Sequence, residues 1–166
     1  MAGKNNHPPR RVVVCHNIRS CHNVGSIFRT ADGAGVSKIF LCGITPTPCL
    51  AGRQAPHPNI KKVSLGAEKY VKWEKHKDAW RVIEKIKKAG FKIISLEQAR
   101  GAMRFDKFKP RGDIALIIGN EVKGLPQSIL KKSDKIIYIP MLGKKESLNV
   151  AVAFGIAIYH LRGLRK

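Results

Sequence analysis

Three stretches of this chain, residues 37–44, 91–96 and 114–119, are apolar almost without interruption. Each has the length of a strand, and strands that read this way are covered on both faces, which is the habit of parallel sheets. Val12–Cys15 and the β-branched run Ile136–Met141 read as two more strands. Between these runs the period changes. Val24, Ile27, Phe28 and Ala31 fall at i, i+3, i+4 and i+7, so the spacing predicts a helix with Asn23 as its N-cap and Gly33 and Gly35 as its stop. A second helix is predicted over Trp80–Ala89, with Trp80, Ile83 and Ile86 on its buried side and Gly90 at its end, and a short third one over Pro126–Lys132. Strands alternating with helices imply an α/β fold, with a mainly parallel sheet of about five strands sandwiched by helices. The segment Thr45–Asn59, with four prolines and no apolar period, reads as a long loop, and Ser64–Trp73 fits neither period.

Charge narrows the partners. The 166 residues form one domain, residues 11–166, behind a polar, basic lead-in over residues 1–10. They carry 32 Lys and Arg against 11 Asp and Glu, a formal charge of +21. Residues 61–112 hold 16 of the basic residues and 6 of the acidic ones, so the charge decorates a folded body, not a tail. A polyanion docked along the surface, nucleic acid above all, fits that distribution. The longest apolar stretch, Leu148–Tyr159, contains Asn149 and is too short to cross a membrane, and the N-terminus has no apolar signal region. The four cysteines, at 15, 21, 42 and 49, contain no C-x-x-C pair; they read as reduced thiols of a cytosolic protein, and no metal is called for.

In open parallel sheets ligands bind beyond the carboxyl ends of the strands. Here those ends carry HNIRSCHN after the first strand, GNEVKG after the fourth and LGKKES after the fifth. Arg29 is off the apolar face of its helix and free to meet an anion or a second subunit, although an exposed helix arginine is the simpler reading. Gly119 ends a strand and Glu121 follows it, which suits either a ligand approaching the backbone or a turn with glycine at positive φ. Neither a P-loop nor a G-x-G-x-x-G fingerprint is present. Ser147 is placed to cap the last helix. Asn149 then brings an amide into its first turn among apolar neighbours, where an unpartnered amide costs about 1–3 kcal/mol.

Taken in order, N-V-G-S-I-F-R-T-A-D from Asn23, I-I-G-N-E-V-K-G-L-P from Ile117 and I-P-M-L-G-K-K-E-S-L-N-V from Ile139 resemble the three motifs of the SpoU family, the TrmH-like branch of the SPOUT RNA methyltransferases. The resemblance implies a C-terminal part threaded into a trefoil knot, an exception to the rule that chains avoid knots. It implies S-adenosylmethionine held largely by backbone groups at Leu96, Gly119, Ile139, Ser147 and Leu148, and a homodimer packed through the knotted region. The implied reaction is methyl transfer to a ribose 2'-hydroxyl of RNA, tRNA first and rRNA next. Arg29 is implied to activate the hydroxyl, with Asn23, Glu121, Ser147 and Asn149 as orienting groups around it. A guanidinium is a poor base at its ordinary pKa, above about 12, so that role needs an unusual environment or a phosphate relay. Many relatives add an N-terminal RNA-binding domain. Here the motifs begin almost at once, and recognition is expected to fall on the lead-in, the Thr45–Asn59 loop and the lysine-rich region. A non-catalytic RNA-binding protein that kept the fold is the alternative.

Overall fold

The computed structural model describes residues 8–50 and 55–163. Residues 1–7 of the lead-in, and residues 51–54 of the proline-rich loop, lie outside the described residues. The seven strands are β1 (Arg11–His16), β2 (Lys38–Cys42), β3 (Lys72–His76), β4 (Lys92–Leu96), β5 (Met103–Arg104), β6 (Ile114–Ile118) and β7 (Lys135–Tyr138). They form one sheet in the order β3-β2-β1-β6-β4-β7-β5, with every pairing parallel. The helices are α1 (Cys21–Gly33), α2 (Pro58–Ser64), α3 (Ala79–Lys88), α4 (Gln127–Leu130) and α5 (Val150–Arg162).

The apolar runs are the centre of this sheet, and alternate residues feed two cores. Val13 and Cys15 of β1, Ile39 and Leu41 of β2, and Ile114, Leu116 and Ile118 of β6 pack with Phe28 of α1, Ile60 of α2 and Phe154 of α5. Val12, Val14, Phe40, Ala115 and Ile117 pack with Val82 and Ile83 of α3 and Ile129 of α4. The fold is therefore three layers, α/β/α, and every β1 residue from Val12 to Cys15 is buried because both faces are covered. Arg11, itself buried, ties the sheet to α5 by donating to the carbonyls of Leu161 (2.7 Å) and Gly112 (2.7 Å). β6 enters between β1 and β4, and β7 between β4 and β5, so the last two strands fill places between strands laid down earlier in the chain.

Five expectations need correction. The sheet has seven strands, because β3 (KWEKH) is a polar edge strand and β5 is only two residues long; an edge strand exposes one side and carries no apolar run. The loop Thr45–Asn59 is cut short by α2, whose Pro58 sits at the first helical position. Ser20, not Asn23, caps α1: its hydroxyl accepts from the Asn23 N–H at 3.2 Å. Asn149, not Ser147, caps α5, its side-chain oxygen accepting from the N–H groups of Ala151 (2.9 Å) and Val152 (3.3 Å). Trp80 is 42% exposed, beneath the cations of Arg81 and Lys132, while Ala79 takes its place on the buried side of α3.

Candidate active site

At the carboxyl ends of β4, β6 and β7 the chain opens into a cleft. Leu96, Gly119, Ile139, Ser147 and Leu148 all line it, and so does Glu121. Its walls are mostly apolar, and its formally charged side chains are Glu97 and Glu121. Among the described residues no lysine, arginine or histidine lines it, in a chain that carries +21.

The loop from Gly119 to Gly124 forms one wall. A Cβ at Gly119 would stand 2.7 Å from the carbonyl carbon of Gly124 and 2.8 Å from Leu125 Cγ, so glycine is required by close packing of the loop on itself. The left-handed conformation is found at Gly124 instead, with φ +65. Asn120 closes the turn: its side-chain oxygen accepts from the N–H groups of Val122 (3.0 Å) and Lys123 (2.9 Å), and its amide donates to the Asn17 carbonyl (2.8 Å). Glu97 clamps the far side, accepting from the N–H groups of Gln98 (2.9 Å) and Leu125 (2.7 Å), while the Gln98 amide donates to the Ile139 carbonyl (2.6 Å). Sequence reasoning misses Glu97 and Gln98. Their signal was position alone, as polar residues directly after a buried parallel strand.

Glu121, Asn23 and Asn149 form a directed chain. The carboxylate of Glu121 accepts from the backbone N–H groups of Arg19 (3.1 Å) and Ser20 (3.1 Å) and from the Asn23 amide (3.1 Å). Asn23 accepts in turn from the Asn149 amide at 3.0 Å, and Asn149 spends its remaining oxygen on the α5 cap. The amide that looked costly in the sequence is thus exposed and fully engaged. Burial pushes the Glu121 carboxyl up, but the N–H donors of Arg19, Ser20 and Asn23 outweigh it and hold the group below the usual glutamate range. The network joins the N-termini of α1 and α5 to the cleft wall.

Arg29 stands apart. It is exposed on α1, six residues beyond Asn23 and hence roughly 9 Å further along the helix axis. It lines no part of the cleft, and among the described residues its side chain makes no hydrogen bond or ion pair within the chain. The structure brings together Asn23, Glu121 and Asn149, puts Ser147 on the cleft wall, and leaves Arg29 outside the cluster expected to surround it. Ser147 is exposed.

The thiols of Cys15 and Cys42 are buried, and burial pushes Cys42 up to about 12 and Cys15 higher still, so both are inert packing groups. The His57 ring lies 3.5 Å from the Cys21 sulfur. No helix among the described residues is long and apolar enough to cross a membrane.

Comparison with known proteins agrees with this geometry. The model of the SpoU rRNA Methylase family matches residues 10–159. The chain is 32% identical over 158 residues to the Bacillus subtilis 23S rRNA (guanosine(2553)-2'-O)-methyltransferase RlmP, covering 93% of this chain and 58% of that protein. It is 29% identical over 161 residues to the Aquifex aeolicus tRNA (guanosine(18)-2'-O)-methyltransferase, covering 93% and 70%. The AdoMet-bound rRNA methyltransferase of Sinorhizobium meliloti superimposes with a TM-score of 0.83 at 27% identity, over 94% of this chain and 57% of that one. The chain thus spans little more than half the length of the first of these relatives. On the family match and the shared fold together, this chain belongs to the SpoU methylase family.

Proposed function

We propose that this chain transfers a methyl group from S-adenosylmethionine to a ribose 2'-hydroxyl of RNA. The observation that carries the reading is the charge of the cleft. In a chain of +21, a cleft lined, among the described residues, by Glu97 and Glu121 and by no cation suits a ligand bearing a positive sulfonium and repels one bearing phosphates. Leu96, Ile139 and Leu148 supply apolar walls for a nucleoside, and Gly119 brings backbone to the same wall. When bound, S-adenosylmethionine supplies an electrophilic methyl group. The chain's own residues must then bring the hydroxyl in line and take its proton. Asn23, Glu121 and Asn149 act as a positioning unit that holds the N-termini of α1 and α5 against the cleft.

Arg29 is the proposed activating residue, binding the phosphate beside the target ribose so that the proton has an acceptor. Its distance from Asn23 is explained by a homodimer. Val152, Ile156 and Tyr159 form an exposed stripe on α5 at i, i+4 and i+7, and such a stripe is buried by a second helix. Arg29 shares a face of α1 with Gly33, one turn on, and Tyr159 Oη lies 3.0 Å from where a Gly33 Cβ would stand. Arg29 therefore borders the stripe and would sit at the junction of two protomers. The threading of residues 139–149 past the β4–β5 connection is the knot we infer, supported by the insertion of β7 between β4 and β5. A tRNA ribose is the first substrate to test and rRNA the second, in the cytoplasm.

The test is transfer of labelled methyl groups from S-adenosylmethionine to bulk tRNA and rRNA. Transfer is expected with the wild-type chain and lost with Arg29→Ala. Cofactor binding without transfer to any RNA would favour a non-catalytic RNA-binding protein, and full activity of Arg29→Ala would remove Arg29 from the mechanism.

A further inference from the structure

Behind the 119–124 loop lies a second cleft, between the carboxyl ends of β1 and β2 and the turn before α4. It shares Asn120, Val122 and Gly124 with the first, so one loop is the wall of both. Its character is opposite. Arg19 and Lys123 line it, both exposed, and among the described residues no carboxylate does. Glu121, the acid between them in the fold, is turned into the α1 N-terminus by its hydrogen bonds with Arg19 N–H, Ser20 N–H and the Asn23 amide.

Two large aliphatic side chains that line this cleft are exposed, Ile44 at 64% and Val122 at 83%. Each is carried by a turn that is hydrogen-bonded throughout. The Ile44 N–H donates to the Asn17 side chain at 3.0 Å, and Lys75 Nζ spans the carbonyls of Gly43 and Thr45 at 2.5 Å each. Beneath it the Thr45 hydroxyl accepts from the Ile18 N–H at 3.1 Å. Val122 rides on the Asn120 turn described above. An apolar side chain held outward on a rigid turn loses little conformational freedom when something packs on it, and two of them facing one cleft beside two cations describe a specific kind of guest. A flat apolar face with an adjoining negative charge is a nucleotide of a single strand.

We infer that this second cleft seats the nucleotide next to the methylated one, its base against Ile44 and Val122 and its phosphates against Arg19 and Lys123. This rests on the methyltransferase reading of the first cleft: with the target ribose at one side of the 119–124 loop, the adjoining nucleotide of the same strand crosses to the other. The shared loop then couples the two occupants, because any shift of Val122 moves both walls.

The experiment uses the full chain, a fluorescein-labelled single-stranded oligoribonucleotide followed by anisotropy over a salt series, and calorimetric titration of S-adenosylmethionine into the same proteins. The double variant Arg19→Ala/Lys123→Ala is expected to bind the oligonucleotide roughly tenfold more weakly and to flatten the log–log salt slope by about 1.4, two phosphates at about 0.7 each. Ile44→Ser, which touches neither the cofactor cleft nor a charge, is expected to weaken binding by about threefold with the slope unchanged. Cofactor affinity should stay within about twofold in both. RNA affinity and slope unchanged in both variants, with cofactor binding intact, would overturn the inference alone. Failure of the wild-type chain to bind S-adenosylmethionine would overturn the reading beneath it, and the inference with it.

Discussion

The two clefts at the carboxyl edge of the sheet differ in one respect above others: among the described residues the first is lined by Glu97 and Glu121 and no cation, the second by Arg19 and Lys123 and no carboxylate. They are separated by a single loop, so the contrast is created locally. Glu121 and Lys123 are two residues apart, and Asn120 holds the turn that sends their side chains to different sides. A net charge of +21 therefore says what the surface meets, not what the active cleft meets. The cation-free cleft had to be kept clear of a surrounding excess of lysine and arginine.

The strongest way to break the contrast is to move the wall. Gly119→Ala puts a methyl group against the Gly124 backbone, which cannot give as a flexible side chain would. It should lower stability by about 1–3 kcal/mol in denaturant unfolding and abolish cofactor binding by calorimetry. Next comes Glu121→Ala, which leaves the N–H groups of Arg19 and Ser20 and the Asn23 amide without their acceptor. A cost of about 1–2 kcal/mol is expected. Because the folded carboxyl lies below its ordinary value, its contribution is full above the unfolded pKa of about 4.3 and disappears as pH falls through the folded one. The stability gap between wild type and Glu121→Gln, measured from pH 7 downward, should begin to narrow below the ordinary glutamate value of about 4.3 and close once the folded carboxyl is protonated.

Asn149→Ala sharpens the comparison on the first side only. It removes the α5 cap and the partner of Asn23, at a cost of about 1 kcal/mol, and should lower methyl transfer while leaving salt-dependent RNA binding intact. The smallest effect belongs to the second side. Lys123→Ala should leave stability within about 0.5 kcal/mol, as expected for an exposed lysine whose side chain has no bonded partner among the described residues, and show itself only in RNA affinity.

Sequence was most informative where burial dictates residue type. The buried strands at β1, β2, β4 and β6 announce themselves because both faces need apolar side chains, whereas Leu96, Gly119, Ile139, Ser147 and Leu148 come from the family resemblance, and all five line the first cleft. β3 was hidden because an edge strand is half solvent-facing: its Glu74 pairs with Lys38 and His76, which hold the carboxyl down to about 2, and only Trp73 among its residues packs toward the core. The caps were misplaced by short-range ambiguity. Ser20 and Asn23 are both good N-cap residues three positions apart, and so nearly are Ser147 and Asn149; which one caps depends on what else each amide can reach. Asn23 is drawn into the helix by Glu121, 98 positions away, and Asn149 to the cap while it also reaches Asn23. No local pattern contains that information. The separation of Arg29 from Asn23, by contrast, is local, since six residues along α1 span about 9 Å.

The first cleft, with no cation among its described lining residues, is expected to select a sulfonium ligand over a phosphate-bearing one of similar size. Calorimetric titration of the wild-type chain with S-adenosylmethionine and, separately, with ATP tests it most directly. The account predicts one S-adenosylmethionine per chain, binding lost in Gly119→Ala, and no displacement by ATP. Displacement of bound S-adenosylmethionine by ATP, or ATP binding that Gly119→Ala removes, would contradict it.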